Sequence, residues 1–158
     1  MQILFFFVCA FFTSLFLIPK IRAIAFKLNI QDLPNDRSSH STAVPTFGGI
    51  SFYVSYIFAL FFLQFFYDSQ VSLTLLASIS ILFFTGLLDD LISIPAKIKF
   101  LGQFIGVAVL MSQSDFRILD LHGFMDVYEI PLIFSVGGSM FFLLGIINAF
   151  NLLDVIQY

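Results

Sequence analysis

The chain has 158 residues, 59% of them hydrophobic and 11% charged, with 24 phenylalanines, no tryptophan and a formal net charge of −3. A mean hydropathy of +1.02 excludes a water-soluble domain of this size, which could not hide so much apolar surface from water. The slight acidic balance offers no basic footprint for nucleic acid, and the single cysteine, Cys9, permits no internal disulfide.

Five uncharged stretches predict five membrane-spanning helices, at 3–18, 47–67, 69–88, 100–114 and 130–153. A spanning helix needs roughly 17–25 apolar residues, so the first and fourth stretches need their flanks to complete a crossing. Lys20 and Arg22 follow the first, and Lys97 and Lys99 precede the fourth, where their alkyl stems can lie along the helix with the charge among the headgroups. No basic residue precedes the first stretch and no small-residue cleavage pattern follows it, so it reads as a retained helix rather than a signal peptide. No repeat, linker or composition shift marks a second domain, and the expected fold is all-α, a polytopic helix bundle over residues 1–158. Glycines at 102, 106, 137 and 138 fit helices that pack closely in lipid.

Alternate loops fall on opposite sides of the membrane. Lys20, Arg22, Lys27, Arg37, Lys97 and Lys99 share one side, against Arg117 on the other. The positive-inside bias then predicts a cytosolic location for the loops 19–46 and 89–99 and for the end of the fifth span, with the N-terminus outside. The outward loop 113–129 holds Asp115, Asp120, His122, Asp126 and Glu129 without ligand-like spacing, and reads as a solvated acidic loop.

Three polar clusters lie on the predicted cytosolic side. The first runs Asp32-Leu33-Pro34-Asn35-Asp36-Arg37-Ser38-Ser39-His40 and leads to Pro45-Thr46-Phe47-Gly48-Gly49 at the mouth of the second span. Its plainest reading is a Pro- and Asn-rich loop with a helix start, although the paired glycines also allow close backbone approach by a ligand. The second is Gly86-Leu87-Leu88-Asp89-Asp90, followed by Lys97, Lys99 and Gln103. Acids at a membrane edge are functional candidates, and these two repel each other unless a divalent cation or a lysine relieves them. Adjacent helical residues point apart, so one can face a ligand and the other a metal or a neighbouring helix; alternatively both merely end the helix in water. The third, Asn148, Asn151 and Asp154, recurs every three residues at the end of the fifth span, where amides can serve a site or hydrogen-bond another helix.

With these residues, D-x-P-N-x-R-S-S-H, G-x-x-D-D with K-x-x-x-Q, and N-A-x-N-x-x-D, the chain resembles the polyprenyl-phosphate N-acetylhexosamine-1-phosphate transferases. The resemblance covers nearly the whole chain in order, and Ser38-Ser39 looks more like the surface-polysaccharide branch than the peptidoglycan branch. It implies an Mg²⁺-dependent enzyme of the bacterial plasma membrane. Such an enzyme moves a sugar 1-phosphate from a UDP-N-acetylhexosamine to undecaprenyl phosphate, releases UMP and initiates lipid-linked cell-surface glycan synthesis. By the same resemblance Asp154 is the metal ligand, and Asp89 and Asp90 orient the lipid phosphate or aid the metal. Lys99 then holds phosphate, Asn148 and Asn151 contact the nucleotide sugar or shape the site, and Arg37 and His40 lie at its rim.

The departures come at the end. The family continues from this aspartate as D-G-x-D-G-L, whereas this sequence reads Asp154-Val155-Ile156-Gln157-Tyr158. The expectation is therefore a chain incomplete relative to the family fold, completed by a second polypeptide or a homo-oligomer, or inactive alone. Two readings from other classes remain: a small polytopic ion or solute transporter using Asp89, Asp90 and Asp154, and a non-catalytic membrane remnant or subunit.

Overall fold

The computed structural model describes residues 2–28, 31–32, 44–45, 48–67 and 72–157, with backbone alone at 2, 31, 32, 44, 45, 67 and 152–157. Each predicted stretch becomes one helix with shifted ends: α1 Gln2–Lys27, α2 Gly48–Tyr67, α3 Leu73–Ile92, α4 Ala96–Leu110 and α5 Leu132–Gln157. Four of them, α1, α2, α3 and α5, are long and apolar enough to cross a membrane. The fourth stretch forms a helix of 15 residues, which rises about 22 Å and falls short of a hydrocarbon layer of about 30 Å. The fold is a helical membrane bundle. Its other ladder among the described residues is a two-residue antiparallel pairing of β1, Gln31–Asp32, with β2, Val44–Pro45.

Which residues are buried identifies the solvent. No phenylalanine is among the buried residues described, whereas Ser51, Ser55, Ser78, Ser135 and Ser139 all are. A water-soluble core inverts this pattern. In lipid, large apolar side chains face outward at no penalty and small residues let helices approach.

Contacts divide the chain into two compact units. The first comprises Met1–Ser72 with Gly86–Ser93. In it α1 and α2 form an antiparallel pair, since Phe5 meets Phe66 at 5.8 Å and Phe6 meets Tyr56 at 6.1 Å between ring centroids. Ser51, Ser55 and Ala59 recur every four residues on α2 and are buried, as is Ala25 of α1, so small side chains set the spacing of the pair. Ser55 Oγ satisfies itself by donating to the Ser51 carbonyl at 2.6 Å, the local bond that makes a hydroxyl tolerable in lipid. α1 continues nine residues past the predicted end at Ile18, through Pro19. Proline there forfeits one helical hydrogen bond, but the following turns carry Lys20 and Arg22, whose cations lie over the rings of Phe16 and Phe26 at 3.6 and 5.6 Å.

The second unit comprises Leu73–Thr85 and Ile94–Gln157. Here the first part of α3 packs against α4 at two glycines. A Cβ on Gly106 would come within 2.9 Å of the Leu82 side chain, and one on Gly102 would overlap the Thr85 hydroxyl. Ser78 Oγ donates to the Gly106 carbonyl at 2.8 Å across this contact. α5 packs on α4. Between them, residues 111–131 fold into two short 3-10 turns, Ser114–Phe116 and Phe124–Asp126. They are tied to α5 by the Ile118 amide, which donates to Ser139 Oγ at 2.8 Å.

Candidate functional site

Asp89 and Asp90 occupy the last turn of α3, with Asp89 half-buried and Asp90 exposed. The helix stops at Ser93, whose left-handed backbone (φ 49°) lets its amide donate to the Asp89 carbonyl at 2.8 Å. This is the αL cap usually built with glycine. Ile94 and Pro95 follow, and Pro95 cannot extend the ladder because it lacks an amide hydrogen. The two carboxylates therefore sit at the negative end of their own helix dipole, where acids are disfavoured unless a cation compensates.

α4 begins beyond Pro95, whose carbonyl accepts from Ile98 N–H at 2.8 Å and Lys99 N–H at 3.1 Å. Its first turn holds Lys97 and half-buried Lys99, no acidic residue and no side-chain cap. The lysines occupy the positive end of the dipole, where an anion is the natural complement. One turn further on the same face is Gln103, 4% exposed, whose Oε1 accepts no hydrogen bond among the described residues. An unsatisfied buried amide oxygen carries a penalty of about 1–3 kcal/mol, which a bound donor would remove. Gln103 is the residue whose environment the sequence conceals; its one signal is the four-residue spacing from Lys99.

On α5, Asn148 is half-buried and donates one amide hydrogen to the Leu144 carbonyl at 2.8 Å, with a second amide hydrogen and the carbonyl oxygen as its other polar groups. Asn151, also half-buried, lies three residues on, and Asp154 continues the series within the same helix. The Asp154 side chain lies outside the described residues, as do Arg37 and His40 entirely. The loop residue His122 contacts the Asp120 carboxylate through Nδ1, and its amide donates to the same carboxylate at 3.1 Å, a local turn bond.

No three His, Cys, Asp or Glu side chains gather as a metal cage among the described residues. The donor chemistry of Asp89 and Asp90 is nonetheless all-oxygen. A hard cation such as Mg²⁺ is held in just this way, by one or two carboxylates, with water and substrate phosphate completing the shell.

Residues 72–157 match the family model described as glycosyl transferase family 4. Over 156 residues the chain is 26% identical to the probable undecaprenyl-phosphate N-acetylglucosaminyl 1-phosphate transferase of Bacillus subtilis (strain 168), covering 94% of this chain and 41% of that protein. It is 32% identical over 144 residues to the undecaprenyl-phosphate alpha-N-acetylglucosaminyl 1-phosphate transferase of Salmonella typhi, covering 90% and 38%. With the like-named protein of Escherichia coli (strain K12) the figures are 34% over 147 residues, 92% and 39%. The chain thus spans about two fifths of the length of these curated relatives. No solved structure matches it.

Proposed function

The chain belongs to glycosyl transferase family 4, and from that premise we propose that it takes part in transfer of an N-acetylhexosamine 1-phosphate from a UDP-sugar to undecaprenyl phosphate, the first step of a lipid-linked surface glycan. The observation that carries this reading is the family match over residues 72–157, which takes in Asp89 and Asp90 in the last turn of α3 and Lys97 and Lys99 in the first turn of α4. A phosphoryl-transfer enzyme needs both, a cation for its carboxylates and phosphate for its bases.

In the proposed reaction an oxygen of the lipid phosphate attacks the sugar-bearing phosphorus of the nucleotide sugar. The bridging P–O bond breaks and UMP leaves with the bonding electrons, so a lipid diphosphate sugar forms. Asp89 and Asp90 orient the lipid phosphate, and Lys99 balances phosphate charge. Asn148 and Asn151 bind the nucleotide sugar through amide groups, with Arg37 and His40 at the rim. Asp154, aided by Asp89 and Asp90, would hold Mg²⁺, which would neutralise the charge that gathers on the phosphate oxygens. The site faces the cytosol of a bacterial plasma membrane, where a soluble nucleotide sugar meets a membrane-dissolved acceptor. The N-terminus is outside, an orientation supported by Lys20, Arg22, Lys27, Lys97 and Lys99 falling on one side. Residues equivalent to the remainder of the longer relatives, on the same or a second polypeptide, complete the fold.

The test is incorporation of labelled sugar phosphate from UDP-N-acetylglucosamine into undecaprenyl phosphate by the purified chain in detergent. The assay runs alone and with membranes of a strain whose own transferase is inactivated, beside an Asp89→Asn control. Product that depends on the chain and disappears with Asp89→Asn is the expected result. Absence of product under both conditions, from a folded and monodisperse preparation, overturns the enzymatic reading in favour of a non-catalytic membrane protein.

A further inference from the structure

The segment between α4 and α5 takes no part in the proposed reaction, and beside its acids it exposes large apolar side chains. The rise of α4, about 22 Å, is about 8 Å short of a hydrocarbon layer of about 30 Å, a distance left to the residues that flank it. The residues after Leu110 form an ordered cap rather than an open loop. The Ile130 amide donates to the Leu119 carbonyl at 2.9 Å, Gly123 to Val127 at 3.1 Å, and Arg117 Nε to the Gln113 carbonyl at 3.2 Å. Pairing backbone groups within the segment is what scarce water demands.

The tip of the cap is apolar and outward. Phe124, Met125 and Tyr128 are 68%, 81% and 69% exposed. Left-handed backbone at Gly123 and Met125 turns the chain there, and the Tyr128 ring lies against Gly123, where an added Cβ would come within 3.0 Å of it. Beyond residues 129–131 come Leu132, Ile133 and Phe134, the exposed start of a helix long and apolar enough to cross a membrane, so the tip lies a few residues along the chain from a surface suited to lipid. The same segment carries Asp115, Asp120, Asp126 and Glu129 against Arg117, an acidic balance that repels anionic headgroups and tolerates zwitterionic ones.

We propose that Leu121–Tyr128 is a membrane anchor: Phe124, Met125 and Tyr128 enter the headgroup–acyl boundary of a zwitterionic leaflet at the end of α4 remote from Lys97 and Lys99, so that the cap completes the crossing that α4 begins. Aromatic side chains favour this depth, because a ring sits in the acyl region while a phenolic hydroxyl stays among the headgroups. The inference rests on the membrane fold and is independent of the transfer reaction.

The absence of tryptophan makes the test direct. The full chain carrying Phe124→Trp is reconstituted in phosphatidylcholine vesicles, with and without lipid brominated near the headgroup end of its acyl chains, and titrated with aqueous iodide. The expected result is emission blue-shifted from that of N-acetyltryptophanamide, strong loss of intensity with brominated lipid, and protection from iodide. Quenching by iodide without quenching by brominated lipid overturns the anchor and restores a solvated loop. Protection from both quenchers also overturns it, since a protein surface, such as a second copy of the chain, then covers the tip. Phe141→Trp, at an 83% exposed position on α5, verifies insertion, and Tyr128→Trp carries the same test should Phe124→Trp fail to insert.

Discussion

Ser93, which closes α3, and Lys99, in the first turn of α4, each support a prediction of a different kind. Ser93 holds φ 49° to close α3, a conformation that disfavours any side chain by about 1–2 kcal/mol. Ser93→Gly is expected to stabilise the protein by about 1 kcal/mol, read as a raised Tm in detergent; an unchanged or lowered Tm would show that the serine hydroxyl contributes more than the strain. Lys99, at the positive end of α4, is expected to act on phosphate charge. Lys99→Met should lower kcat/KM for sugar-phosphate transfer by about 10–100-fold, the value of one hydrogen bond to a charged group, with the folded fraction unchanged. An effect within twofold would remove Lys99 from the site.

Within the second unit, α3 meets α4 at two glycines, with Thr85 against Gly102 and Leu82 against Gly106. Lipid supplies no hydrophobic drive between helices, so contact distance and a few hydrogen bonds carry the association. Gly102→Val places methyl groups where the Thr85 hydroxyl already lies, and overpacking of this kind is expected to destabilise by about 1–3 kcal/mol. Titration with a denaturing detergent checks it, and the Gly48→Val variant, at a glycine with nothing within 4 Å, should lose far less. Ser78→Ala removes the bond to the Gly106 carbonyl and is expected to cost only about 0.6 kcal/mol, since interhelical hydrogen bonds in lipid are individually weak.

For the molecule as a whole, the exposed phenylalanines and buried serines mean that stability depends on the surrounding lipid as much as on internal contacts. The proposed transfer adds a second dependence, on a divalent cation. Removing it with EDTA should abolish labelled product, and Mg²⁺ should restore it with helix content by circular dichroism unchanged throughout, because the cation serves phosphate charge rather than the fold. Activity that survives chelation would exclude the metal from the reaction.

Composition and charge placement determined the solvent, the number of helices and the order of the polar clusters, because the price of a charge in hydrocarbon is high enough to mark each span by itself. The motifs around Asp89, Lys99 and Asn148 were legible for the same reason, as polar groups where apolar ones are expected. Helix ends were not: α1 runs through Pro19, since a single lost hydrogen bond weighs less than nine further residues of helix, and α4 starts at Ala96 and stops at Leu110, where Met111 and the two 3-10 turns take over. Burial of Gln103 and the overlap of Gly102 with Thr85 depend on which face α4 turns to its neighbour, and spacing along one chain cannot distinguish that face from the one turned to lipid. The apolar tip of residues 121–128 was likewise hidden, because its acids dominate the composition while left-handed backbone at Met125 and the turn at Gly123 decide which side chains project. Tertiary structure decides such matters because they depend on distances between segments, and those are fixed only when the helices meet.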